Sequence, residues 1–121
     1  MLSRLLALIA FALCTMLVGY GLFRPEPAPN LFSHSDKFFH VGAFATLYLT
    51  GVFALAAKRV HLWVVVGFLM LAPLSEVVQS LLQASRLFSV EDIFANALGV
   101  GAGVILHLVW QIFARYKSLK H

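Results

Sequence analysis

The stretch SDKFFHVGAFATLYLTGVFALAA, Ser35 to Ala57, places three ionisable side chains at the start of a run that is otherwise apolar. These side chains are Asp36, Lys37 and His40. The apolar run that follows is close to the ~20 residues with which an α-helix spans the hydrocarbon core of a bilayer. The stretch therefore predicts a transmembrane helix with a polar entrance.

Composition extends this interpretation to the whole chain. Of its 121 residues, 61% are hydrophobic and 12% are charged, and the mean hydropathy is +0.90. Soluble domains carry far more charge, so we predict an all-α membrane protein. The predicted spans are Leu5 to Phe23, Phe38 to Ala57, Val60 to Leu82, and Ile93 to Ala114. Residues 1–121 are thus predicted to form one domain, a four-transmembrane-helix bundle.

The distribution of lysine and arginine predicts the orientation of this bundle. Six of them lie at the N-terminus, in the turn after helix two and at the C-terminus, whereas three lie on the opposite side. The first group is Arg4, Lys58, Arg59, Arg115, Lys117 and Lys120, and the second is Arg24, Lys37 and Arg86. Because positive loops stay in the cytoplasm, both termini are predicted to be cytoplasmic. The formal charge of +4 is small, and nucleic acid is not an expected partner.

Polar side chains from separate parts of the sequence are predicted to converge in the outer leaflet. His40 lies about one turn inside helix two, and Asn96 about one turn inside helix four. Glu76 and Gln79 precede the outer end of helix three by roughly 9 Å and 5 Å at ~1.5 Å rise per residue. The predicted ligand-binding residues are Lys37, His40, Glu76, Gln79, Arg86, Asp92 and Asn96.

Local signals support this arrangement of the helices. The segment SVED, Ser89 to Asp92, predicts a capping box at the start of helix four. Gly99 and Gly103 form a small-xxx-small pattern, which allows another helix to approach closely. Pro73 lies inside helix three and predicts a kink that would open space near the carboxylate.

A purely structural role for these polar residues is a second interpretation. Asn96 and Gln79 are residue types that hydrogen-bond between membrane helices. A carboxylate at the depth of Glu76 is costly unless it is protonated, paired or hydrated, so a structural salt bridge would also account for it. Its candidate partners are Arg86, Lys37 and His40.

Catalysis and metal binding are further alternatives for these residues. A metal site would require His40, Glu76 and Asp92 to converge from three helices, so we expect neither a metal nor another cofactor. Ser75 and Ser80 are expected on other helix faces, which leaves no nucleophile beside a base. An enzyme acting on a lipid-linked envelope substrate is therefore an alternative that we do not favour.

Two segments carry most of the polar residues discussed above: DKFFHVGAF, which begins at Asp36, and EVVQSLLQASRLFSVEDIFANALGVGAG, which begins at Glu76. Together they resemble the VanZ-like family of small membrane proteins. The family motif has Lys-x-x-His, then Glu-x-x-Gln, then Arg, Asp and Asn before a Gly-rich helix. The matching residues, in order, are Lys37, His40, Glu76, Gln79, Arg86, Asp92, Asn96 and Gly99. One departure is Phe44, where many members have tyrosine.

The resemblance implies a multi-pass protein of the bacterial inner (cytoplasmic) membrane that influences the cell envelope. The family is named for a protein associated with teicoplanin (glycopeptide) resistance, and most of its members have no assigned biochemistry. From the residues themselves we favour binding, because Lys37 and Arg86 are placed to hold an anionic group. The expected partner is a membrane lipid or a lipid-linked envelope precursor, and homo-oligomerisation through helix–helix contacts is left open.

Overall fold

The computed structural model describes residues 2–26, 29–55 and 61–120, and these form four α-helices and no β-strand. The helices are α1 (Leu2–Phe23), α2 (Ser35–Leu55), α3 (His61–Leu82) and α4 (Val90–Ser118). Each is long and apolar enough to cross a membrane and overlaps one of the predicted spans, and the predicted all-α class is confirmed. The largest difference is that α4 extends over residues 90–118 instead of 93–114. The predicted turn after α2, with Lys58 and Arg59, lies almost entirely outside the described residues.

Glycines of α4 bring this helix into backbone contact with α2. A Cβ atom at Gly99 would overlap the carbonyl oxygen of Val41 and would lie 2.9 Å from the Cβ of Phe44. One turn later, a Cβ at Gly103 would lie 2.7 Å from the ring of Tyr48. A side chain at either position would therefore push the helices apart. The predicted small-residue seam is confirmed, and it makes α2 and α4 parallel neighbours.

Helix α3 runs antiparallel to this pair. Near its end, the Ser75 hydroxyl lies 3.3 Å from Nδ2 of Asn96, and at its start the ring centroid of His61 lies 5.1 Å from that of His107. The chain order of the two contacts is reversed between α3 and α4, so the helices point in opposite directions. Helix α3 continues as one helix through Pro73, and the kink stays a prediction.

The start of α4 is held by a serine cap. Ser89 has extended backbone angles (φ −124°, ψ 111°), and its hydroxyl accepts the N–H of Asp92 at 3.2 Å. Glu91 and Asp92 lie in the first turn, whereas Arg115 and Lys117 lie in the last. This distribution complements the helix dipole at both ends. The N-cap predicted from SVED is confirmed, but the second bond of the predicted capping box is wrong, because the N–H of Ser89 bonds to Glu76 and not to Asp92.

The bundle has a small interior and a largely apolar exterior. The buried core cluster consists of Phe44, Tyr48, Val52, Val64, Ala72 and Val100. Helix α1 has no buried residue and packs mainly against α2. Leu2 and Tyr20 of this helix are more than two-thirds exposed. An exterior of this kind suits a bundle surrounded by lipid, where apolar side chains need no burial against protein.

Candidate functional site

A buried aspartate at the start of α4 is the centre of an ion-pair cluster. Asp92 is 2% exposed, and its two carboxylate oxygens receive different cations. Oδ1 accepts from the Lys37 ammonium, and Oδ2 accepts from Nη2 of Arg86 at 2.8 Å. Lys37 also lies 3.4 Å from a carboxylate oxygen of Asp36 and 3.5 Å from one of Glu91. Because burying an unpaired charge costs several kcal/mol, the two cations are what make this position tolerable for Asp92.

His40 connects this cluster to the interior of the bundle. Its Nε2 lies 2.9 Å from Nη2 of Arg86, and its Nδ1 lies 2.8 Å from Oδ1 of Asn96. A guanidinium has only donors, so Nε2 accepts from Arg86. Nδ1 then carries the proton and donates to the Asn96 oxygen. These contacts fix both the ring orientation and the tautomer of His40.

Asn96 extends the network across the bundle. The residue is fully buried, and its Nδ2 donates to the Ser75 hydroxyl at 3.3 Å and points to the Ala72 carbonyl at 3.5 Å. Ser75 in turn donates to the same Ala72 carbonyl at 2.9 Å. Asn96 therefore links α4 to α2 through His40 and to α3 through Ser75. It makes the interhelical contacts that the structural interpretation requires.

Glu76 bonds to the backbone at the start of α4. Its side chain is 0% exposed, and Oε1 accepts the backbone N–H of Ser89 at 2.7 Å. Its other oxygen, Oε2, is buried without a hydrogen-bond partner. Within the described ranges, no lysine, arginine or histidine forms an ion pair with Glu76. The candidate pairing with Arg86, Lys37 or His40 is therefore not found there.

Two glutamines hold the C-terminal end of α1: Gln79 lies in α3, and Gln83 directly follows it. Nε2 of Gln79 donates to the Leu22 carbonyl at 2.7 Å, and Nε2 of Gln83 donates to the same carbonyl at 3.0 Å. Gln83 also donates to the carbonyl of Arg24. The last carbonyls of a helix lack partners within the helix, so these amides satisfy groups that would otherwise be unpaired.

A cavity of about 390 Å³ lies between α1, α2 and the end of α3. Its apolar lining residues include Leu17, Val18, Leu22, Phe39 and Ala43, and its polar lining residues include Arg24, Asp36, His40, Gln79 and Arg86. Polar and apolar side chains thus line one cavity. This combination suits a molecule that has both a polar and an apolar part.

The predicted site residues divide into two groups around this cavity. His40, Gln79 and Arg86 line it, whereas the other four do not. Those four are Lys37, Glu76, Asp92 and Asn96. Lys37, Asp92 and Asn96 form the hydrogen-bonded layer that orients Arg86 and His40. Glu76 instead bonds to the cap of α4.

Three residues outside the predicted site contribute to the network. The prediction that Ser75 lies on another helix face is wrong, because Ser75 is 6% exposed and bonds to Asn96. The spacing of Gln83, one turn after Gln79, predicts that it shares a helix face with Gln79, but it is not among the predicted site residues. Ser89 was seen only as a cap, because nothing local indicates that Glu76 binds its N–H. No group of three metal-ligating side chains is found among the residues that the structure describes.

In comparisons with protein-family models, curated proteins and solved structures, nothing matches this chain. The function is therefore argued from the geometry of the cavity and its network, and the VanZ-like resemblance stays a prediction.

Proposed function

We propose that the protein binds the anionic head group of a membrane lipid or lipid-linked envelope precursor in the cavity between α1, α2 and α3. The observation that carries this proposal is the position of Arg86, which lines a cavity of about 390 Å³ together with several apolar residues. An arginine presents several donors in a fixed plane and suits phosphate and carboxylate groups. The apolar lining residues would accommodate the adjoining part of the lipid.

The hydrogen bonds of Arg86 leave part of its donor capacity for a ligand. Its Nη2 is used by His40 and Asp92, whereas none of the hydrogen bonds described here uses Nη1 or Nε. The side chain is 22% exposed, so it is held in place but still accessible. A pre-positioned donor loses little conformational entropy when a ligand binds. Arg86 therefore has the properties of an anchor.

Lys37 belongs to the ion-pair cluster and does not line the cavity. Its ammonium is engaged by Asp92, Asp36 and Glu91. The charged residues that do line the cavity are Arg24, Arg86 and Asp36. This lining carries one net positive charge, which favours an anion.

We also propose that the chain is a VanZ-like protein of the bacterial inner membrane, with both termini in the cytoplasm. The support is the ordered match of eight motif residues and the excess of lysine and arginine at the termini and in the turn after α2. In this orientation the cavity lies in the outer leaflet, where envelope precursors are used.

The test compares lipid binding by purified protein in dodecyl maltoside, measured by native mass spectrometry. The probes are phosphatidylglycerol, phosphatidylcholine with the same acyl chains, and inorganic phosphate. We expect retention of phosphatidylglycerol over phosphatidylcholine and at least tenfold weaker retention in Arg86→Gln. Weak binding of inorganic phosphate would show that the apolar part contributes to recognition.

A second variant separates binding from stability, because Arg86→Gln also removes a partner of Asp92. Gly21 lines the cavity, and a Cβ there would meet no atom within 4 Å, so Gly21→Leu should occupy the cavity without disturbing the fold. Gly19→Leu is the matched control, since its Cβ also meets nothing within 4 Å and it lies outside the lining. Unchanged lipid retention in Gly21→Leu, or no lipid preference in the wild type, would refute the proposal and favour a purely structural network.

A further inference from the structure

Glu76 is a fully buried acid whose contacts set it apart from the ion-pair cluster. Its Oε1 accepts the Ser89 N–H at 2.7 Å, and its Oε2 is buried without a hydrogen-bond partner. The residue is 0% exposed and does not line the cavity. A ligand in the cavity therefore cannot reach Glu76 directly in this arrangement.

The bond to Ser89 replaces half of a capping box. In such a box, the third residue of the helix returns its side chain to the N–H of the N-cap residue. Here Asp92 occupies that third position, and its N–H does bond to the Ser89 hydroxyl. The carboxylate of Asp92 is turned to Lys37 and Arg86 instead, and Glu76 from α3 takes its place at the Ser89 N–H. Because Glu76 completes the cap of α4, the carboxylate of Asp92 is available for Lys37 and Arg86.

The same bond fixes one end of the loop that carries Arg86. At the other end, Gln83 is tied to the carbonyls of Leu22 and Arg24. Between them, the N–H of Arg86 donates to the Gln83 carbonyl at 2.9 Å. Arg86 thus lies in a short loop held at both ends, with Glu76 acting on the Ser89 end.

We infer that Glu76 is a positioning residue, which holds Ser89 and thereby sets the place of the Arg86 guanidinium at the cavity. The role depends on the hydrogen-bond acceptor of Glu76 and on its length, and not on contact between its charge and a ligand. The effect of Glu76 on lipid binding rests on the proposed function. The bond between Glu76 and Ser89 does not, because it can be measured without a ligand.

The experiment uses three variants of the full chain in dodecyl maltoside. Glu76→Gln keeps an acceptor at the same distance, Glu76→Met keeps the length without the acceptor, and Glu76→Asn keeps the amide but is one methylene shorter. Hydrogen exchange of the Ser89 amide reports the bond itself. Retention of phosphatidylglycerol, measured by native mass spectrometry, reports the position of Arg86.

We expect Glu76→Gln to stay within threefold of the wild type in both measurements. Glu76→Met and Glu76→Asn should exchange the Ser89 amide at least tenfold faster and retain phosphatidylglycerol at least fivefold more weakly. If the methionine variant fails to fold, the asparagine variant makes the same comparison.

Three results would overturn the inference. Loss of lipid retention in Glu76→Gln with normal Ser89 exchange would show that the charge of Glu76 acts on the ligand. Unchanged exchange in Glu76→Met and Glu76→Asn would show that the bond does not hold Ser89. Faster exchange with unchanged retention would separate Ser89 from Arg86. A wild type that retains no phosphatidylglycerol refutes the proposed function instead, and the exchange rates then decide the role of Glu76 alone.

Discussion

Alanine in place of Gly99 should separate the two helices at the centre of the bundle. The added Cβ would overlap the Val41 carbonyl oxygen and lie 2.9 Å from the Cβ of Phe44 and 3.1 Å from the Ala45 nitrogen. Two of these three atoms belong to the backbone, which cannot rotate away as a side chain can. The helix must therefore shift, and the closest contacts between α2 and α4 are lost.

The magnitude follows from a comparison with Gly101 on the same helix, where a Cβ would meet nothing within 4 Å. Alanine gains about 0.5–1 kcal/mol of helix stability over glycine at either position. The difference between the two variants therefore isolates the overlap, for which overpacking costs of about 1–3 kcal/mol are typical. We expect the upper part of this range for Gly99→Ala. The destabilisation by Gly103→Ala should fall between those of Gly99→Ala and Gly101→Ala, because the nearest neighbour of the added Cβ is the Tyr48 ring at 2.7 Å.

The assay is reversible unfolding of the three variants by sodium dodecyl sulfate in mixed micelles, followed by tryptophan fluorescence. A difference of about 1–3 kcal/mol corresponds to a roughly 5- to 150-fold change in the folding equilibrium constant. Equal stability of Gly99→Ala and Gly101→Ala would refute the reasoning, since it would mean that α2 and α4 do not approach each other this closely.

Two further predictions concern charge and topology. Asp92→Asn removes the negative charge that Lys37 and Arg86 share. Because these two cations are 24% and 22% exposed, we expect the free energy of unfolding to fall by about 2 kcal/mol, which is less than for fully buried pairs. Glu91→Gln is the control, because Glu91 is 81% exposed and its substitution should change the free energy of unfolding by no more than about 0.5 kcal/mol. Equal losses of stability in Asp92→Asn and Glu91→Gln would contradict the assignment of Asp92 as the central acceptor. For topology, a periplasm-active reporter fused behind the C-terminus should be inactive and a cytoplasm-active one active, and the opposite pattern would place the termini outside.

The fold was largely predictable from local properties of the chain. Apolar runs of spanning length predicted all four helices, because a helix in lipid must satisfy its backbone internally whatever its neighbours are. The start of α4 was also predictable, since the cap of Ser89 depends on residues within one turn. Gly99 and Gly103 indicated a close helix contact, although the partner helix was not specified by their spacing.

The pairing within the candidate site could only be decided by the tertiary structure. Spacing along helices predicted that the polar residues share one depth band, and their contacts agree with this. It did not predict that Asp92 would receive both cations while Glu76 bonds to Ser89. Either carboxylate is chemically suited to either partner, so the choice depends on the rotation and separation of the helices that carry them.

The cavity is a property of the assembled bundle for the same reason. The sequence by itself determined that Arg86 lies beside the C-terminal end of α3 and that the surrounding helices are apolar. Only the packing of α1 against α2 brings Leu17 and Val18 to the same cavity as Arg86 and His40. Residues far apart in the chain meet there because interhelical packing, and not local propensity, sets which side chains face each other.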